Sequence, residues 1–143
     1  MMFRHWAWAL AALAIAGSAE GQEVRSFAHY QLEPGQQFEI QTQDRLYRGR
    51  LINRVTGETR MAVSRDGQTF EPERSVYLLG STPGRQNGYL VVLMHEVKVG
   101  LVLELGVDDL DESHRLVTAP VTSIRLWPVG ESSLFPPRVA PGA

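Results

Sequence analysis

The chain has 143 residues, carries a formal net charge of −2 and contains no cysteine. Disulfides, thiolate metal centres, cysteine nucleophiles and lipid attachment through an amino-terminal cysteine are therefore excluded, so a secreted fold must rest on its hydrophobic core. The basic side chains are nearly all arginine, with Lys98 the sole lysine, a bias that assigns no function by itself.

Met1 to His5 brings a positive start through Arg4, Trp6 to Ala16 is continuously apolar, and Gly17, Ser18 and Ala19 are small. This is the pattern of a signal peptide over residues 1–19, cleaved after Ala19, and it predicts a secreted or periplasmic protein. The apolar run is too short for a bilayer span of about 20 residues, and no later stretch avoids charge for that long. No transmembrane span is expected in the mature chain.

Glu20 to Arg25 is polar and expected to be loose. Ser26 to Leu32, with Phe27 and Tyr30, predicts a first strand closed by the turn residues Glu33, Pro34 and Gly35. From Gln37 to Thr42 the residues Phe38, Ile40 and Thr42 alternate with polar ones, the period of a half-buried strand. Arg45 to Val55 places Tyr47, Gly49, Leu51, Asn53 and Val55 on one side, and Leu46, Arg48, Arg50, Ile52 and Arg54 on the other. Gly49 inside that strand predicts a bend or a close backbone approach. Thr59 to Arg65 predicts the next strand, and Asp66-Gly67 predicts a two-residue hairpin returning it onto Gln68 to Glu71.

Ser75 to Leu79 predicts another short strand. Gly80 to Gly88, GSTPGRQNG, carries three glycines, a proline and an asparagine, and is expected as a mobile surface loop. Tyr89 to Leu105 is apolar at nearly every odd position and would exceed about 50 Å if laid straight at about 3.3 Å per residue, too long for a small domain. It must bend or fold back, with Gly100 as the expected corner, and it supplies the core strand pair. Gly106 to Ser113 is an acidic connector. Arg115 to Thr118 is expected as a brief edge strand, and Val121 to Trp127 as the last strand before Pro128.

These elements predict an all-β fold of about seven strands, a small partly open barrel or a compact sandwich, as a single β domain over residues 26–128. A Pro-rich disordered tail is expected over residues 129–143. Leu32 to Leu51, with its Pro34-Gly35 turn, strand, polar turn and a further strand containing Tyr-x-Gly, resembles SH3-like barrels. That resemblance covers a short part of the chain, implies a small barrel and brings no site residue with it.

His95-Glu96 lacks the second histidine of a zincin helix, since Val99 stands four residues on in a strand, and His95 is expected as a hydrogen-bonded core or edge histidine. Asp109, Asp111 and Ser113 follow the opening of a calcium loop, but His114 stands where its glycine belongs and Pro120 where its closing acid belongs. Ser81 within GSTPG is not a nucleophile elbow. No metal or cofactor is predicted. Arg48, Arg50 and Arg54 share a strand face, with Arg60 and Arg65 near in sequence, and the adjoining loop contributes Arg85 and Asn87 as candidate binding residues.

The expected function is that of a non-enzymatic binding or envelope-associated structural module, with a macromolecular partner in the cell envelope and not a nucleic acid. Two alternatives accompany it. One is a polyanion-binding module using the arginine face; the other is a small extracytoplasmic hydrolase built from His95 or His114 and the acidic connector.

Overall fold

The computed structural model describes residues 21–86 and 89–130. Residues 1–19, Asn87 and the tail from residue 131 lie outside the described residues. The fold is all-β. The strands are β1 Gln22–Val24, β2 Ser26–Ala28, β3 Gln37–Thr42, β4 Leu46–Asn53, β5 Glu58–Ser64, β6 Arg74–Gln86, β7 Tyr89–Met94, β8 Glu96–Lys98, β9 Val102–Val107 and β10 Arg115–Leu126, with short 3-10 turns at His29–Gln31 and Glu112–His114.

Six of these strands pair in a closed circuit, antiparallel at every step. β3 pairs β4 through Ile40 and Tyr47, β4 pairs β5 through Gly49 and Met61, and β5 pairs β6 through Thr59 and Val76. β6 continues to β9 through Leu78 and Leu105, β9 to β10 through Leu105 and Leu116, and β10 returns to β3 through Ile124 and Ile40. Alternation decides which side chains enter. Phe38, Ile40, Tyr47, Leu51, Met61, Val76, Leu78, Leu103, Leu105, Val121 and Ile124 form one buried cluster inside. Burying each of these large apolar groups contributes about 1.5–3 kcal/mol, so the circuit is driven by its interior. Gly49 serves the close approach its position predicts, because a Cβ there would collide with the Phe38 ring across the pair.

A second, two-stranded sheet of β2 and β8 sits over one end, where Phe27 pairs with Val97 and both join the core cluster. Phe27 meets Phe38 with ring centroids 5.4 Å apart. Buried Ser81 fastens this ribbon to β6: its hydroxyl donates to the Glu96 carbonyl at 2.7 Å and accepts from the Lys98 N–H at 3.2 Å. Ser81 is thus committed to the backbone.

Several sequence expectations are corrected. Glu20 to Arg25 is not loose throughout, since β1 pairs with β10 from Gln22↔Leu126 to Val24↔Ile124. The first strand stops at Ala28 and turns through His29–Gln31. Asp66-Gly67 does not make a two-residue hairpin. The Asp66 carboxylate accepts from the N–H groups of Gln68 and Thr69 and from the Ser64 hydroxyl, which bends the chain into a wide connection; of the expected pairing the Glu71 N–H still donates to the Val63 carbonyl at 2.9 Å, and the ladder begins at Met61↔Arg74. Arg115 to Leu126 is one strand, not two, carried past Pro120 by register shifts on both sides of that residue.

Gly80 to Gln86 is strand rather than loop. A proline and glycines weaken a regular ladder, yet here a bulge between Ser81 and Gly84 absorbs them and pairing with β7 continues to Gln86↔Tyr89. The expected core pair within Tyr89 to Leu105 becomes three strands with two corners. Gly100, at φ 93°, is the corner expected; His95, at φ 66°, is a second. β7 and β9 do not pair with each other but flank β6. The count is ten strands among the described residues rather than about seven.

Candidate functional site

β6 is long enough to leave the circuit. Its pairing with β5 ends at Tyr77 and with β9 at Thr82, so from Gly84 to Gln86 it pairs only with β7 among the described residues. The two strands make an arm. β7, with the sequence YLVVLM, ends the sheet, and among the described residues no strand pairs along its other edge. An apolar edge strand with unpaired backbone groups is a template for another extended segment.

The base of the arm is held at a junction of sequence-distant groups. Gly80 has φ 154°, and a Cβ there would collide with the Leu93 carbonyl, so glycine is what lets β6 and β7 close at this point. His95 follows β7 in the left-handed region, its N–H donating to the Leu79 carbonyl at 2.9 Å and its carbonyl accepting from the His29 N–H at 3.3 Å. The His29 ring is 1% exposed. Its Nδ1 lies 2.7 Å from the Arg54 carbonyl, and its Nε2 lies 3.0 Å from His95 Nδ1.

This chain of contacts fixes the tautomers. A carbonyl only accepts, so His29 Nδ1 carries the proton and, in the neutral ring, Nε2 is an acceptor. His95 Nδ1 must then donate to it, from a residue that is itself exposed. Burial holds His29 below the usual imidazole range; its bond to the Arg54 carbonyl opposes that shift and the nearby His95 adds to it. The two rings meet edge-on with centroids 4.9 Å apart, and Tyr30 packs near both. Beside them an open recess of about 240 Å³ is lined by Ser26, Tyr30, Gln31, Met94 and Glu96 among others. Sequence reasoning singled out His95 and placed it at a core or edge position; the residue is hydrogen-bonded but exposed, because the positive φ breaks the alternation that would have turned it inward. It missed His29, whose partner lies 66 residues away.

The candidate arginines occupy the wall and one turn. Arg48 lies 3.2 Å from the Glu39 carboxylate and its guanidinium stands 4.2 Å over the Phe70 ring. Arg50 lies 3.9 Å from Glu73, which Arg60 also approaches at 3.8 Å. Arg54 is 4.0 Å from Glu33, while its backbone carbonyl serves His29. The wall is therefore a charge-compensated surface, and only Arg54 among these three reaches the junction at the base of the arm. Arg85 is on β6 within the arm, paired with Leu90; Asn87 lies outside the described residues.

The acidic connector is at the other end of β6, where the Asp108 N–H donates to the Ser75 carbonyl at 2.8 Å. His114 Nδ1 lies 2.8 Å from Asp109, whose carboxylate also takes the Asp111 N–H at 2.9 Å. That pairing raises the His114 imidazole above its ordinary value and lowers Asp109. Asp111 takes both the N–H and the hydroxyl of Ser113 at 2.9 and 2.8 Å, so Ser113 is directed at a carboxylate and not at the imidazole. The carboxylates cap their own turns. Among the described residues no group of three or more His, Asp or Glu side chains converges as a metal site, and no helix is long and apolar enough to cross a membrane. Comparison of the chain with protein-family models, with curated proteins and with solved structures finds no match.

Proposed function

We propose that this protein is a non-enzymatic extracytoplasmic binding module, a small barrel whose projecting arm accepts an extended segment of an envelope partner along β7. The observation that carries the reading is that β7, apolar in sequence, is paired on one edge alone among the described residues and is held out from a closed circuit. Strand addition uses such an edge: backbone hydrogen bonds supply affinity and neighbouring recesses select side chains. Met94 is 61% exposed at the inner end of β7, beside the recess that Tyr30 and Glu96 help to line. In this reading Arg54 lies at the base of the arm, Arg85 is carried on β6 within it, and Arg48 and Arg50 lie on the wall. The extracytoplasmic placement rests on Arg4, the apolar run Trp6 to Ala16 and the small residues to Ala19.

Pull-down from an envelope extract tests it. Met94→Lys puts a charge on an exposed position of the edge, which blocks strand addition without disturbing the core. The partner should be lost with Met94→Lys and kept with Arg48→Ala and Arg50→Ala, each variant retaining the wild-type circular dichroism spectrum. The opposite pattern moves the binding surface to the arginine wall. Intact mass of the protein from its native host should correspond to a chain beginning at Glu20; a chain still beginning at Met1 removes the secretion argument.

A further inference from the structure

The end of the circuit away from the arm holds a cavity of about 160 Å³. Its walls are the inward side chains of Tyr47, Met61, Val76 and Leu105, with Val63 and Leu116 nearer the mouth, so its body is apolar. An apolar space of roughly 150 Å³ is large enough for a benzene ring. Three charged residues also line it, Arg45, Glu71 and Arg74. Arg45 is half-buried, acts on the Tyr47 phenol and makes no ion pair among the described residues; Asp44, the carboxylate that also acts on that phenol, is exposed. The other charges at the mouth are differently placed: Glu71 is exposed, and Arg74 is already bound to Asp108 at 2.7 Å.

We propose that this cavity binds a small carboxylate with an apolar body of about one ring or a short acyl chain, the body among Met61, Val76 and Leu105 and the carboxylate on Arg45 and the Tyr47 hydroxyl. A half-buried guanidinium that makes no ion pair among the described residues is the group a carboxylate satisfies, through a charge-assisted bond in the fork geometry arginine presents. Tyr47 completes it. Burial is the main cause that raises its phenol above the ordinary value, so the hydroxyl keeps its proton and remains a donor to an incoming oxygen. An amine would meet Arg45 as a like charge at the deeper position, and a neutral hydrocarbon would fill the body while leaving the two donors unmet. This site is separate from the β7 edge, and its occupancy does not depend on the binding reading above.

Titration of the full protein with benzoate, hexanoate, benzylamine and toluene, followed by heteronuclear NMR, distinguishes these cases. Benzoate and hexanoate should bind saturably at millimolar concentration or below, with shifts centred on Tyr47, Leu105 and Leu116. Benzylamine should not bind, and toluene should bind more weakly. Arg45→Gln should weaken benzoate by about tenfold or more, as expected for loss of a charged hydrogen bond, while leaving toluene unchanged; Leu116→Trp should narrow the mouth and weaken all ligands. Equal binding of amine and carboxylate, shifts scattered away from these residues, or no saturable binding by either carboxylate overturns the assignment.

Discussion

At the arm end of the circuit Phe27 and Val97 descend from the β2–β8 ribbon into the core, Ser81 ties that ribbon to β6, and a buried histidine is bonded at both ring nitrogens. At the opposite end no ribbon enters among the described residues; Val63 and Leu116 border a cavity, and the connector above it is exposed and bonded mainly to itself. One wall of strands therefore ends in two ways. Where side chains from outside the circuit fill it, polar groups are buried and must be satisfied by distant partners; where it is left unfilled, polar groups stay at the surface and satisfy their neighbours in sequence. In the two proposals made above, the filled end positions an arm and the unfilled end receives something small.

The first way to break this contrast is to empty the filled end. Phe38→Ala removes a fully buried ring that Phe27 rests on and should cost about 3–5 kcal/mol in chemical denaturation. Gly49→Ala should cost about 1–3 kcal/mol by forcing that ring aside, and far less when Phe38 is already alanine, so a double-mutant cycle should reveal strong coupling. Ser81→Ala leaves the Glu96 carbonyl and the Lys98 N–H without their partner and should cost about 1–3 kcal/mol. Additive costs for the Phe38 and Gly49 changes would show that the ring does not occupy the place assigned to it.

Acidity should separate the ends by sign. The unfolded chain protonates His29 near the ordinary value of about 6.5, whereas the folded chain does so lower. Its contribution is complete above the unfolded value and is lost as pH falls toward the folded one. His114 is raised, so its contribution is present below the unfolded value and disappears as pH rises through the folded one. In denaturation curves followed across the imidazole range, His29→Asn should flatten the loss on the acid side. His114→Asn should act in the opposite sense and more weakly, because that residue is exposed. A steeper acid loss in His29→Asn would mean that the buried ring is charged. The smallest effect should come from the wall: Arg48→Ala breaks a partly exposed ion pair and should change stability by about 0–1 kcal/mol.

Legibility in the sequence followed the range of the interactions involved. Phe38, Ile40 and Thr42 are buried in turn as their alternation predicts, because a strand's period is a local property. Gly49 and Gly100 were readable for the same reason: one is a close approach and the other a corner, both encoded where they stand. β1 was not legible, since Gln22 to Val24 has little to bury and is ordered by the ladder of β10. The extension of β6 through Gly80, Pro83 and Gly84 runs against local propensity and is held by β7 and a bulge. The junction at the base of the arm depends on His29, Arg54 and His95, which no local window contains together. The cavity was hidden similarly, because Arg45 and Leu116 meet only when the circuit closes.

The contrast between two ends exists only if β10 bridges β9 and β3 and so closes the circuit. Backbone cross-strand nuclear Overhauser effects measure that directly. The account predicts contacts from Leu116 to Leu105 and from Ile124 to Ile40 in the same monomeric sample. If either set is absent while the other is present, the sheet is open, there are no ends to compare, and the cavity and the arm lose the frame that holds them.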